Sequence, residues 1–221
     1  MADGKQQAAS FARRITVNVR GQYLIYLPEG YSKSENTWPL VLFLHGAEER
    51  GSTVEAVKKH GPPKRVEEGM AFPFILVSPQ CPTDESWQVT VLRALLEEIE
   101  ECYRVDKTRE YVTGLSMGGF GTWRLAIAMP QRFAAIAPIC GGGDSNAVGV
   151  LKNVPVWAFH GSKDRIVPIA RSENTVQALK AAGGDVRFTV YPGVGHDSWT
   201  QTYEDPEFYS WLLSHQLPQS I

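Results

Sequence analysis

Apolar residues take on two textures along the chain. Near its beginning, ITVNV (15–19) and YLIYL (23–27) alternate apolar with polar or aromatic positions on either side of the glycine in RGQ. That alternation predicts a hairpin of half-exposed strands at an antiparallel edge. Beyond the turn-rich connection PEGYSKSENTWP the pattern changes to short, nearly continuous apolar runs: LVLFL (40–44), FILVSP (74–79), REYVTGL (109–115), FAAIAPI (133–139), VPVWAF (154–159) and VRFTVY (186–191). Runs of that length with so few polar interruptions suit strands of a parallel sheet covered on both faces.

Helical periodicity fills the intervals. VLRALLEEIEECYRV sets Leu92, Leu95, Leu96, Ile99, Cys102 and Tyr103 on one face, with Glu97, Glu98, Glu100 and Glu101 mostly opposite, as a solvated surface. GGFGTWRLAIAM reads as a helix opening directly after a strand, IARSENTVQALKAAGG stops at paired glycines, and DPEFYSWLLSHQ opens with an aspartate before a proline. A hairpin followed by alternating strands and helices predicts an α/β fold over residues 1–221 as one domain. Its mostly parallel central sheet should have about eight strands, with helices on both faces. In such sheets the chemistry lies just past the carboxyl ends of the strands.

Composition narrows the partners. A net charge of -2, with 43% hydrophobic and 21% charged residues, gives no basic field for nucleic acid or anionic lipid. A small neutral or mildly polar molecule is the expected partner. No apolar run is long enough to span a membrane. The opening MADGKQQAASFARR lacks the apolar stretch of a signal peptide, so a complete chain would be cytoplasmic and a trimmed one secreted. Cys81, Cys102 and Cys140 form no CxxC pair and read as small buried hydrophobes, with room for at most one disulfide. No metal and no cofactor are expected.

The polar residues at strand ends carry the chemistry. EYVTGLSMGGFGTW fits G-x-S-x-G, and its flanks are strand-like before and helix-like after. Ser116 would therefore occupy a tight strand-to-helix turn, with Gly114 and Gly118 clearing side chains where the two elements approach. The backbone N–H of Met117, at the start of the helix, would be free to stabilise an oxyanion.

A serine hydroxyl needs a base, and the five histidines differ in placement. His60 and His215 have no strand leading into them and read as surface residues. His45 and His160 each close a strand, positions that suit packing or hydrogen bonds to a neighbouring loop. His196 follows the last strand by a PGVG loop that would let its ring reach over the sheet edge. Asp164, in FHGSKDRIVP, completes the chain order Ser116, Asp164, His196. Asp144 and Asp185 are weaker choices for the carboxylate, and Asp197 is too close to His196 in sequence to hold its ring. The HGAEERG loop after the first buried strand offers Ala47 as a second oxyanion donor, with Glu49 and Arg50 read as an internal salt link.

Taken together, LFLHGAEERG, SPQCPTDESW, YVTGLSMGGFGTW, APICGGGD, FHGSKDRIVP and GVGHDSW resemble the α/β-hydrolase serine esterases. Within them the likeness is to the phospholipase/carboxylesterase and feruloyl-esterase-like group, related to prolyl oligopeptidase catalytic domains. The resemblance implies an α/β-hydrolase fold with Ser116 as nucleophile, His196 as base, Asp164 as orienting acid, and Ala47 and Met117 as oxyanion donors. It also implies that Gln80, Trp87 and Trp199 shape the substrate pocket, with Trp123 and Trp157 left to the core. Relatives often carry glycine where Glu48 stands, so a requirement for positive φ there would strain the loop. The segment GGGDSNAVGVLKN (141–153) is too short to hold a lid domain. The implied function is hydrolysis of soluble short- to medium-chain or aryl esters. A peptidase or an acyltransferase of the same fold, and a non-catalytic ligand-binding module, are the alternatives. Amide cleavage, competition by added alcohol, and inertness to a fluorophosphonate would respectively reveal them.

Overall fold

A computed structural model describes residues 10–13 and 16–218 of the chain. Seven strands form one sheet among these residues: β1 (Tyr23–Tyr26), β2 (Trp38–Leu44), β3 (Ile75–Pro79), β4 (Val105–Leu115), β5 (Ala135–Ile139), β6 (Val156–Gly161) and β7 (Val186–Tyr191). Their order is β1-β3-β2-β4-β5-β6-β7. Only β1 runs antiparallel, pairing Tyr23 with Pro79 and Tyr26 with Leu76 at the edge of the sheet. The expected eighth strand is not found among the described residues. Of ITVNV, Ile15 lies outside the described residues, and residues 16–19 have no regular structure. Val17 is 64% exposed, so the alternation there has no partner surface to bury it, and an isolated hairpin gains little in water.

The continuous apolar runs are explained by the period of a strand. Along β2, Leu40, Leu42 and Leu44 belong to one core cluster, and Val41 and Phe43 to the other. All five are fully buried or nearly so, because successive side chains leave opposite faces and both faces are covered. One face is packed by α2 (Val89–Cys102), α3 (Met117–Ala128) and α4 (Ala170–Ala181), through Leu92, Leu96, Ile99, Trp123, Leu125, Val176 and Leu179. Opposite, α5 (Trp199–Glu204) and α6 (Pro206–Leu213) contribute Tyr203, Phe208, Tyr209 and Leu212. Another short helix, α1 (Gly61–Glu67), follows His60 in the segment HGPPKR.

Helix ends follow local chemistry. The Asp205 carboxylate accepts the Glu207 N–H at 2.8 Å, and Pro206 begins α6. Gly183, with φ of 83°, ends α4. The α2 glutamates divide: Glu97, Glu98 and Glu101 are exposed, while Glu100 is half-buried and pairs with Lys107 at 2.7 Å and with Arg132. Cys102 departs from its expected place, being exposed near the end of α2, whereas Cys81 and Cys140 are buried; all three are free thiols. Trp123 and Trp157 are core residues, 0% and 1% exposed.

Parallel register brings the carboxyl ends into line. Leu44 pairs with Gly114, Leu115 with Ile139, Ile139 with Phe159, and Gly161 with Tyr191. The loops that follow these strands therefore emerge along one edge. Between β5 and β6 the chain makes a single short 3₁₀ turn, Val148–Leu151, with no inserted helical domain among the described residues.

Close packing at that edge leaves no space for side chains at Gly118 and Gly119 in the first turn of α3. A Cβ on Gly118 would lie 1.8 Å from the Leu44 carbonyl oxygen, and one on Gly119 would lie 2.3 Å from that of Ile139. Gly118→Ala is expected to destabilise the fold by about 2 kcal/mol or more, because it overpacks against backbone. Gly21→Ala, where nothing lies within 4 Å, should stay within about 0.5 kcal/mol of the parent. Urea denaturation of the two variants checks the contrast.

Candidate active site

Ser116 stands between β4 and α3 with φ 53° and ψ -116°. Among the described non-glycine residues, positive φ is shared only with Cys140 at 40°. An L-residue is held there only when its surroundings over-determine it. The Ser116 N–H donates to the Ile139 carbonyl at 3.0 Å and approaches the Cys140 Sγ at 3.3 Å, and its carbonyl accepts the Phe120 N–H at 3.0 Å. The turn is thereby fixed to the neighbouring strand end, and the hydroxyl is left free to face outward.

His196 reaches the serine from the loop after β7. Its Nε2 lies 3.0 Å from Ser116 Oγ, and its Nδ1 lies 2.7 Å from Asp164 Oδ2. The two loops carrying His196 and Asp164 are joined by backbone: Lys163 N–H donates to Val194 O at 2.8 Å and Ser162 N–H to Tyr191 O at 3.0 Å. The PGVG loop is thus tied down rather than left to swing. Behind the imidazole, Trp199 makes an edge contact at 5.2 Å between ring centroids.

Asp164 has a fully buried side chain. Its Oδ1 accepts the N–H groups of Ile166 and Val167, both at 2.9 Å. Burial alone would push its pKa up, but the hydrogen bonds from His196, Val167 and Ile166 outweigh it, and the carboxyl ends below its ordinary value. Asp197 instead caps the next helical turn, accepting from Thr200 N at 3.0 Å. Asp144 lines the groove that adjoins the cavity at Ser116, away from His196.

The HGAEERG loop faces the serine across the strand ends. Ala47 begins a 3₁₀ turn (Ala47–Glu49) and Met117 begins α3, so neither N–H has a partner within its own helical segment. Glu49 and Arg50 do not form a salt link. Glu49 is 2% exposed and its Oε2 accepts the Gly46 N–H at 3.1 Å, while Arg50 donates to the carbonyls of Ala47 and Glu85. Glu49 thus supplies a buried acceptor inside the loop, and its Oε1 faces Lys59 at 3.5 Å and His60 at 3.6 Å. Glu48 has no positive φ; its side chain is 83% exposed and meets Lys59 at 3.1 Å. The glycine-for-glutamate difference therefore strains nothing.

His45 underpins the same loop. Fully buried, it donates from Nδ1 to the Gly46 carbonyl at 2.6 Å and accepts the Cys81 N–H on Nε2 at 3.0 Å, which assigns a neutral tautomer. Burial lowers its pKa. Gln80, expected in the pocket, turns its amide to the Glu49 and Cys81 carbonyls at 2.7 and 2.9 Å and so braces the loop. Trp87 does line the cavity beside Ser116, its indole N–H donating to His45 O at 3.1 Å. That cavity measures about 340 Å³ and is walled also by Met117, Phe120 and Arg124. A groove of about 540 Å³ shares Phe120 and Arg124 with it and continues over Ile127, Ala147 and Arg171.

Cys140 and His60 near this edge were not legible as such in sequence. Cys140 places its thiol among Ser116, Asp164 and His196; together with the last two it forms a trio of possible metal ligands lying within 4.8 Å of one another. Burial pushes the thiol pKa up to about 12, and His196 and Asp164 are already bonded to each other, so the trio is poorly disposed toward a cation. The only signal was its place after a strand and before three glycines. His60, read as a surface residue, is half-buried, and its ring meets Trp199 at 5.4 Å. Burial lowers its pKa, with Glu49 opposing. His215 is likewise half-buried, stacking edge-on with Trp211 at 4.7 Å. His160, expected at a strand end to bond a neighbouring loop, places Nε2 2.9 Å from Val167 O and 3.2 Å from Asp164 Oδ2.

Comparison with known proteins bears on the family and the fold. A model of the dienelactone hydrolase family matches residues 57–208. A protein named "Probable feruloyl esterase C" from Aspergillus terreus is 26% identical over 159 residues, which are 69% of this chain and 58% of that protein. The chain thus spans less than two thirds of that relative's length. The crystal structure of a thermostable esterase superposes with a TM-score of 0.75 at 34% identity, over 88% of this chain and 59% of that one. The feruloyl esterase module from Clostridium thermocellum, solved with sinapinate, matches with a TM-score of 0.67 at 18% identity, over 96% and 99% of the two chains. At that identity it speaks to the fold, which is that of the α/β-hydrolases.

The lowered Asp164 pKa fixes the sign of a pH effect. Stability derived from its ionised form is present above the ordinary aspartate value of about 3.9, and is lost as pH falls through the lower folded value. Wild-type stability should therefore drop more steeply than that of Asp164→Asn as pH is lowered from about 5 to 3. Urea midpoints measured across that range check it.

Proposed function

Because the chain belongs to the dienelactone hydrolase family, we propose that it is a serine carboxylesterase acting through an acyl-enzyme. The observation that carries this reading is the continuous line from Ser116 Oγ to His196 Nε2 at 3.0 Å and from His196 Nδ1 to Asp164 Oδ2 at 2.7 Å. Asp164 holds the imidazole with Nδ1 protonated, which leaves Nε2 with its lone pair toward the serine. His196 takes the Ser116 proton as Oγ attacks an ester carbonyl. The N–H groups of Ala47 and Met117 receive the oxyanion, and the imidazolium returns the proton to the departing alcohol. Water then repeats the sequence on the acyl-serine.

Pocket shape supports the substrate class. A cavity of about 340 Å³ flanked by Trp87 and Phe120 is of a size for a short or medium acyl chain or an aryl group. The adjoining groove gives the other half of the ester an open path. Feruloyl-type and simple short-chain carboxylic esters both fit this description.

A panel of p-nitrophenyl esters with methyl ferulate and an acetylated sugar tests the reading. Turnover is expected to be highest with short, medium or aryl acyl groups; an optimum above about twelve carbons would overturn the pocket assignment. Ser116→Ala should lower kcat by about a million-fold, and Asp164→Asn by about ten-thousand-fold. A fluorophosphonate should label Ser116 and no other residue, as read by mass spectrometry. Retention of most activity in Ser116→Ala would refute the mechanism.

A further inference from the structure

Asp164 Oδ2 is approached by two imidazoles. His196 Nδ1 lies 2.7 Å away, and His160 Nε2 lies 3.2 Å away. The His160 side chain is fully buried, as is that of Asp164, whereas His196 keeps 20% of its surface exposed. His160 Nε2 is also 2.9 Å from the Val167 carbonyl. A carbonyl can only accept, so Nε2 carries a proton and donates it to Val167 O, while Asp164 Oδ2 lies beside that N–H at 3.2 Å as an electrostatic contact. On the far side of the ring, Nδ1 lies 2.8 Å from Ser172 Oγ, which in turn contacts the Gly141 carbonyl at 2.7 Å. The ring is therefore gripped at both nitrogens.

Its anchorage differs from that of every other group on the carboxylate. Ile166 and Val167 belong to the same loop as Asp164, and His196 belongs to a second loop. His160 alone stands within a strand, in register with Val190 of β7. Through one nitrogen it meets two points of the 162–169 loop, by a hydrogen bond at Val167 and a 3.2 Å electrostatic contact at Asp164. The one hydrogen bond on Oδ2 comes from His196, and both members of that bond are loop residues, so the His160 ring is the only strand-borne group against that oxygen.

We propose that His160 is a positioning residue that references the Asp164 carboxylate to strand β6 and so keeps His196 in reach of Ser116. The proposal rests on the ester-hydrolysis reading for its kinetic consequence but not for its structural one. Misplacement of an orienting group in such a relay lowers turnover with little effect on substrate binding.

The test uses the full chain as wild type, His160→Ala, His160→Gln and Ser172→Ala. Each is assayed with p-nitrophenyl acetate and examined by proton NMR for the downfield resonance of the His196–Asp164 hydrogen bond. His160→Ala should lose about tenfold or more in kcat with KM within about twofold, and its downfield resonance should broaden. His160→Gln, whose amide nitrogen can reach the Nε2 position, should recover most of both. A folded His160→Ala protein with wild-type kcat and a sharp resonance would overturn the proposal, as would His160→Gln behaving no better than a folded His160→Ala. Should His160→Ala not fold, Ser172→Ala decides. There a loss of about threefold in kcat with a broadened resonance supports the clamp, and an unchanged protein removes it. A wild-type protein inactive on every ester would defeat the ester reading alone, since the resonance in the variants would still test the clamp.

Discussion

The site depends on how closely the first turn of α3 approaches the carboxyl ends of β2 and β5. Gly118 and Gly119 bring helix backbone so near the Leu44 and Ile139 carbonyls that no side chain fits between them. Ser116, immediately before, is forced to φ 53°, a conformation of order 1–3 kcal/mol less favourable for an L-residue. That strain is sustained by burial of both sheet faces and by the hydrogen bond from its N–H to Ile139 O. The same approach leaves the Met117 N–H unpaired at the start of the helix and beside the HGAEERG loop. Presentation of the serine and a helix N-terminus placed directly after it thus arise from one packing requirement.

Around this contact the chain has placed its buried polar groups in pairs. His45 and Glu49 both bond Gly46, one through its carbonyl and the other through its N–H. Gln80 joins the same loop from β3's end. Across the serine, His160, the Ile166 and Val167 amides and His196 all converge on Asp164. Buried polar atoms are costly unless partnered, so each bond supports the next and both loops are held without a ligand. Electrostatically this keeps the Asp164 carboxyl ionised despite its burial. The Cys140 thiol is pushed the other way, because burial outweighs the Ser116 N–H that it receives.

Much of this was readable from the residues. Continuous apolar runs gave strands β2 to β7 to within a few residues, because a strand covered on both faces admits no polar alternation. The spacing in GLSMG, FHGSKD and GVGHD marked Ser116, Asp164 and His196, since each lies in a turn directly beyond a strand. Failures came where the same local pattern has two outcomes. ITVNV alternates as an edge strand should, yet no surface is available to bury Val17. Cys102 has the helical spacing of a core residue but lies at the margin of the α2 stripe, in solvent. Glu49 and Arg50 are adjacent and opposite in charge, but a buried loop N–H competes for the carboxylate more effectively than an exposed guanidinium does.

The sequence by itself determined the α/β architecture, the sheet edge at which the chemistry gathers, and the three residues that meet there. These follow from strand period, helix period and the turn preferences of glycine, all of which act over a few residues. Tertiary structure alone decided which side chains support that trio: His160 against Asp164, Trp199 against His196, and Gln80 and Glu49 within the loop carrying Ala47. Such partnerships depend on strand order, register and the distances between loops, which are fixed only when the whole sheet closes on its two cores.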